Sequence, residues 1–516
     1  MKVAVIGGGI AGLATAALVA REGHEVVLLE KNATLGGRVG TWEHGGFRFD
    51  TGPSWYLMPE VFDHFFRLLG TSAAEQLELV QLDPGYRVYA EGFADPVDIA
   101  AEVEDNIALF ERIERGAGQR LRDYLDRAAE MYGIAKEHFL YTTFANLGPV
   151  FGGGVLGKGA RLSRLLVETL GSLTRRTVRD RRLRQILGYP AVFLGSAPDM
   201  TPSMYSLMSH LDLADGVSYP LGGFRTIIDR IVALAEAECV ELRTGVAVRR
   251  IIVEGSHATA VELSNGTVIG VDAVVSAADL HHTETELIDE PHRTHPEPTW
   301  RKREAGPSAL LILLGVRGEL PELEHHTLLF SADWTANFSA IFDEPTRIPT
   351  TPSIYVCKPS GVDPTVAPDG MENLFVLVPL PADPGLGQGG VDGDGAAMME
   401  ALADRVIAQI GEWAHIDDLA GRVEVRRTIG PADFAADYNA WKGGALGLAH
   451  TLRQSAFFRP GDASRKVANL YYAGASTIPG VGLPMCLISA ELIVKRLRGD
   501  TSAGPLPEPL RPGRGR

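Results

Sequence analysis

Residues 3–20 carry no charge over eighteen positions, with Lys2 in front and Arg21 behind. A run of that length passes for a secretion signal or a short membrane span. Gly7, Gly8, Gly9 and Gly12 fall in its middle, and glycine is a poor helix former. The run therefore divides into a strand (Lys2–Ile6), a glycine turn and a helix (Ala11–Glu22), with Val26–Leu29 as the next strand. Short apolar runs predict further strands at Val240–Val253, Ala260–Leu263, Val271–Ser276, Leu310–Val316, Ser353–Val356, Leu374–Val378 and Val423–Thr428. Residues 75–215 read mainly as helix. Near the end, Leu470 to Gly474 reads as a strand running into glycine, and Cys486–Leu497 as a helix. Strands and helices of this order imply an α/β fold. No other run is long and apolar enough to span a bilayer, so any membrane contact is expected to be peripheral.

The 516 residues exceed one ordinary core, which implies two domains or one composite fold. Glycine is in excess, at 58 residues, and clusters in short groups suited to tight turns or close approach of a ligand. Three widely separated cysteines argue against a disulfide framework and favour a reducing cytoplasm. The net charge of −16 disfavours general nucleic-acid binding. Lys158 to Arg184 runs against that trend with a local balance of +7. Leu162, Leu165, Leu166, Leu170 and Leu173 recur there at helical spacing. They form either an interfacial helix lying on anionic lipid or an amphipathic helix packed on the core.

Gly7-x-Gly9-x-x-Gly12 follows a strand and opens a helix, the context that a dinucleotide fingerprint requires. The first glycine allows the turn, the second lets a pyrophosphate approach, and the third lets helix and strand pack closely. Glu30, at the end of the second strand, is placed to accept ribose hydroxyls and disfavours a 2′-phosphate. Gly36-Gly37-Arg38 follows shortly after. That pair with its arginine resembles the FAD-binding arm of the flavin oxidoreductase superfamily that includes amine oxidases, with Arg38 neutralising pyrophosphate charge. In that superfamily a valine returning to the nucleotide domain, here Val248, lies beside the adenine. The closing helix would aim its N-terminus at the flavin and favour negative charge on the reduced ring.

Seven stretches together resemble the bacterial-type phytoene desaturase family of carotenoid desaturases. They are Gly7–Gly12, Gly36–Arg38, Gly46–Ser54, Tyr219–Phe224, Asp437–Leu448, Thr451–Ser455 and Gly474–Ser489. Ser476-Thr477-Ile478 departs from the Gly-Thr-His common in that family. The resemblance implies a Rossmann-like FAD-binding domain assembled from residues 1–75, 220–295 and 465–500. It also implies a helical, membrane-facing lobe (76–219) and a mixed-sheet substrate domain (296–464). Its cofactor-binding residues map onto Gly7, Gly9, Ile10, Ala11, Gly12, Glu30, Lys31, Gly36, Gly37, Arg38, Gly52, Pro53, Ser54, Val248, Gly474, Ala475, Gly482, Leu483, Pro484 and Met485.

The activity so implied is FAD-dependent desaturation of an apolar C40 polyene, 15-cis-phytoene towards lycopene, at the cytoplasmic face of a membrane. Hydride goes to flavin N5, and quinone or oxygen reoxidises the flavin. Carotenoid isomerase, end-group oxidase and a non-catalytic isoprenoid escort protein are the rival readings. No residue stands out as a catalytic base. Trp55 and Tyr56 either line the substrate channel or are core aromatics. His281-His282, His292, His295 and His325-His326 lack metal-ligand spacing and read as surface or loop residues, so no metal is expected. Gly152-x4-Gly157-Lys158 fails as a P-loop because Gly159 replaces the required Ser or Thr. Residues 501–516 read as a disordered tail.

Overall fold

The computed structural model describes residues 1–145 and 167–511. The Gly152–Lys158 sequence, residues 158–166 of the basic segment and residues 512–516 of the tail lie outside the described residues.

The strand Lys2–Ile6 is the centre of a five-stranded sheet. Glu25–Leu29 and Ala273–Ser276 flank it, with Glu241–Arg243 and Leu470–Tyr472 at the edges, and all four pairings are parallel. Strands covered on both faces explain why these runs are continuously apolar. The first helix, Ile10–Arg21, buries every residue from Ile10 to Ala20. It packs against the closing helix Leu483–Arg498 within one core, so residues from both ends of the chain share a single layer.

A second, mixed sheet has seven strands. In spatial order they are Val423–Ile429, Ser308–Arg317, Met371–Leu380, Ile354–Cys357, His326–Phe330, Tyr86–Ala90 and Val97–Ile99. Side chains alternate across it as a strand requires. Leu310, Ile312 and Leu314 meet Leu402, Val406 and Ile410 of the helix Ala397–Ala414, while Leu311 and Leu313 face Phe47 and Phe375.

The structure bears on four expectations. The described part of residues 75–215 is mainly helical, as expected, but Leu79–Gln81, Tyr86–Ala90 and Val97–Ile99 are strands. Tyr86–Ala90 pairs in parallel with His326–Phe330, so 76–219 and 296–464 share one sheet; such long-range pairing leaves no local signal. In the helix Leu170–Thr177, Leu170 and Leu173 are buried beside Phe110, Leu121 and Tyr124 rather than offered to lipid. Its charges are paired within the protein, Arg175 with Asp199 at 2.8 Å and Arg176 with Glu168 at 2.7 Å. Finally, residues 501–511 are ordered against the core. Leu506 and Leu510 are buried there, and Lys495 Nζ donates to the carbonyls of Ser502 and Gly504. Composition suggested disorder; two leucines between prolines reverse it by giving the segment something to bury.

Candidate cofactor and substrate cavity

One cavity of about 920 Å³ runs from the glycine turn into the space between the two sheets. Gly7, Gly9, Ile10 and Ala11 line its nucleotide end, with Glu30, Lys31 and Val248. Glu30 is held in place by its own loop: Oε2 accepts from the Gly8 N–H at 2.6 Å and Oε1 from the Asn32 N–H at 2.7 Å. Each carboxylate oxygen keeps a lone pair for a hydroxyl. Gly12 is off the wall. A Cβ there would stand 1.9 Å from the Gly7 carbonyl oxygen, so its absence lets the helix close on the turn.

Gly36 and Gly37 cross over the turn, with Gly36 N–H donating to the Gly8 carbonyl at 2.8 Å. Gly52, Pro53 and Ser54 continue the wall, as do Gly474, Ala475, Gly482, Leu483, Pro484 and Met485. Arg38 is half-buried and its Nε has no partner within the protein. An orphaned guanidinium N–H beside two helix N-termini, Gly9–Ala11 and Gly482–Met485, fits a diphosphate. Neither helix has a side-chain cap, so their first-turn N–H groups are free to face the ligand. The donor set suits FAD.

The Asp437–Asn439 segment closes over this end. Asn32 Nδ2 donates to the Asp437 carbonyl at 3.0 Å, and Lys31 Nζ donates to that of Ala436 at 2.6 Å. Asp50 ties the neighbouring turn to the Tyr219–Phe224 stretch by accepting from the Phe224 N–H at 2.8 Å. Burial raises its pKa to about 6.

Beyond the flavin end the cavity is apolar and aromatic. Trp55 lines it, tilted against Phe193 at 5.3 Å, with Tyr189, Leu194, Phe338 and Leu377 nearby. Tyr56 does not line it: that ring is buried in the core, stacked on Phe62 at 4.4 Å. Most of this chamber went unseen in the sequence, because its residues are ordinary apolar positions on distant elements. Phe457 both lines the cavity and stands 44% exposed.

Three histidines depart from the surface reading. His295, His325 and His326 are buried, and burial lowers the pKa of His295 to about 4 and of His325 to about 3. His326 stacks under Trp55 at 4.2 Å and hydrogen-bonds the Tyr355 hydroxyl, which also bonds Ser54 Oγ at 2.6 Å. His325, His326 and Cys357 bring their ligand atoms within 4.8 Å of one another. Sequence spacing could not show this, since His326 and Cys357 are opposite each other across two strands. The neighbouring Lys358 charge pushes His325 further towards neutrality, and it opposes a metal cation equally. The trio carries no ligand assignment.

The profile described as "Flavin containing amine oxidoreductase" matches residues 10–497. A carotenoid 3,4-desaturase of Haloarcula japonica is 40% identical over 498 residues, covering 96% of this chain and 98% of that protein. A zeta-carotene-forming phytoene desaturase of Myxococcus xanthus is 33% identical over 503 residues, covering 96% and 93%. Among solved structures, an oxidoreductase from Methanosarcina mazei covers 96% of this chain and 100% of its own, with a TM-score of 0.64 at 17% identity, a likeness of fold. On the matched profile and these near full-length relatives, the chain belongs to the flavin-containing amine oxidoreductase family, among its carotenoid and phytoene desaturases, and is an FAD-dependent oxidoreductase.

Proposed function

We propose that this oxidoreductase introduces double bonds into a C40 carotenoid chain drawn from a membrane. The observation that carries the reading is the continuity of one cavity, from the glycine turn with Arg38 to an apolar, aromatic chamber that extends to the exposed Phe457. FAD, when bound, supplies the hydride acceptor at N5. The chain's own residues do the rest. Arg38 and the two helix N-termini hold the diphosphate, and Glu30 holds the ribose. Trp55, Phe193 and Leu377 orient an apolar polyene along the wall and exclude water, which would quench a cationic centre. The electrons leave to a quinone or oxygen.

Desaturation at the 3,4 position of an already conjugated chain is favoured over the phytoene-to-lycopene series. The relative named for that position is 40% identical, against 33% for the phytoene desaturase. Peripheral membrane attachment accords with the described helices, none of which is long and apolar enough to cross a bilayer. The test is to purify the protein with its flavin and mix it anaerobically, in liposomes, with phytoene or with a lycopene-type polyene. Bleaching of the flavin with a product of longer conjugation is the expected result. Which substrate bleaches it sets the position. A bound flavin reduced by neither would remove the desaturase reading and leave isomerisation.

A further inference from the structure

His450 lies in the loop before the Leu452–Gln454 turn and lines the cavity near the closing helix. Its ring is fixed from two sides. Nδ1 lies 3.0 Å from the carbonyl oxygen of Leu194, and Tyr205 stands edge-on at 5.5 Å. A carbonyl only accepts, so Nδ1 carries the ring hydrogen and the lone pair of the neutral imidazole resides on Nε2. Nε2 points at the backbone of Gly480, in the segment leading into the N-terminus of the closing helix. A Cβ on Gly480 would stand 2.4 Å from Nε2, so the ring occupies space that only a glycine leaves open. The nitrogens of His325 and Nε2 of His326 are sealed in the core without partners, and neither ring lines the cavity, whereas His450 does.

The other ionisable groups on the cavity wall, among the described residues, do not offer a comparable base. Glu30, Lys31, His282 and Asp437 belong to the nucleotide end, as do Arg38 and Tyr438, which stack on each other. Asp279 accepts from the N–H groups of His281, His282 and Trp441, and the Tyr132 hydroxyl donates to Glu60. Burial holds the hydroxyls of Tyr189, Tyr205 and Tyr355 protonated and pushes the Cys486 thiol up to about 12. Resting on the desaturase reading, we propose that His450 Nε2 is the acceptor of the proton that leaves the polyene. The hydrogen of one allylic carbon departs with its electron pair to the flavin. The neighbouring carbon gives its proton to Nε2, and that C–H electron pair becomes the new double bond. Two electrons thus pass to FAD and one proton to the imidazole.

The local electrostatics suit that task. Arg459 is buried beside the ring and donates to the carbonyls of Thr477, Gln454, Leu448 and Ala475. Burial of the His450 ring, and then the Arg459 charge, keep His450 neutral at rest. A proton next to an allyl cation is a strong acid, so a weakly basic imidazole is sufficient. The same weakness releases the proton again between turnovers.

His450→Asn keeps an amide N–H able to donate to Leu194 and removes the lone pair. His450→Gln likewise offers an amide N–H and lacks the imidazole lone pair, with a longer side chain. Both variants are expected to slow anaerobic flavin reduction by the polyene by at least ~100-fold, the usual contribution of a positioned base. Flavin content and polyene half-saturation should be unchanged. A role that is only structural would shift those two quantities instead. In the wild-type holoprotein, ¹⁵N-histidine NMR should show a pyrrole-type Nδ1 and a pyridine-type Nε2 for His450. The opposite tautomer, or variants reducing flavin at the wild-type rate, would overturn the assignment alone. A wild-type flavin that no polyene reduces would instead bring down the desaturase reading, and the assignment with it.

Discussion

Gly9 and Gly12 stand three positions apart, yet a side chain would meet different surroundings at each. At Gly9 an added Cβ finds nothing nearer than Gly37 Cα at 4.0 Å, while at Gly12 it collides with the Gly7 carbonyl. Gly9→Val is therefore expected to fold and to purify without flavin, read directly from its visible absorbance. Gly12→Ala should lower the thermal midpoint of the protein itself. Full flavin content in Gly9→Val would contradict the diphosphate reading of the turn.

Asp212 invites a second substitution. Its Oδ2 accepts from Tyr86 and Tyr189, its Oδ1 has no partner, and burial raises its pKa to about 7. A carboxyl whose pKa is raised on folding favours the fold when protonated. That contribution is complete below the unfolded value of about 4 and is lost as pH rises through 7. At ~1.4 kcal/mol per pKa unit the loss is on the order of 4 kcal/mol. Asp212→Asn should flatten the fall in stability between pH 4 and 8, measured by denaturant unfolding. An unchanged pH profile would place the titration elsewhere.

The closing helix depends on the segment that follows it. Lys495 is buried in the middle of the protein, its ammonium donating to the carbonyls of Tyr141, Ser502 and Gly504. The Leu506 N–H donates to Glu491 and the Leu510 N–H to the Leu68 carbonyl, fastening the strap to both the closing helix and the helix Pro59–Leu68. Truncation after Asp500 would leave a buried charge with one partner. Two lost bonds to a charged donor are worth ~3 kcal/mol or more. The truncated chain should unfold at lower temperature, and Lys495→Met within it should recover part of the loss. No recovery would mean that Leu506 and Leu510 alone account for the effect.

Should the protein meet a bilayer as proposed, one face suits that contact better than the described residues 167–184 of the basic segment do. Leu452, Phe457 and Phe458 are exposed within seven residues, and Phe457 also lines the cavity. Arg453 is exposed beside them, and the Arg303 guanidinium lies 3.4 Å from the Phe458 carbonyl. Apolar rings rimmed by basic groups are suited to an anionic lipid surface. The double change Phe457→Ser, Phe458→Ser should weaken cosedimentation with anionic liposomes and raise the polyene concentration needed for half-maximal rate. Replacing Arg175, Arg176, Arg181 and Arg182 with Gln should leave liposome binding unchanged, because Arg175, Arg176 and Arg182 pair with Asp199, Glu168 and Asp180, and Arg181 donates to the Glu91 carbonyl. The reverse pattern would return the membrane role to the basic segment.

Local rules were enough for the nucleotide half. A glycine turn between a strand and a helix, an acid at the end of the next strand and a second glycine pair with Arg38 are all short-range features, dictated by backbone sterics and helix-end electrostatics. The substrate half was different. Trp55 reaches the cavity while Tyr56 turns into the core, a choice made by the packing of Phe62 and not by anything next to them in sequence. His325 and His326 look like surface histidines until the seven-stranded sheet closes over them. Tyr86–Ala90 joins that sheet against the helical pattern of its surroundings. His450 acquires a defined tautomer only because Leu194, 256 positions away, presents a carbonyl to it. Sequence alone determined the cofactor and the family of chemistry, because those rest on contacts within a few residues. Tertiary structure decided the cavity and the setting of His450, because these are made by side chains that meet only after distant segments pack.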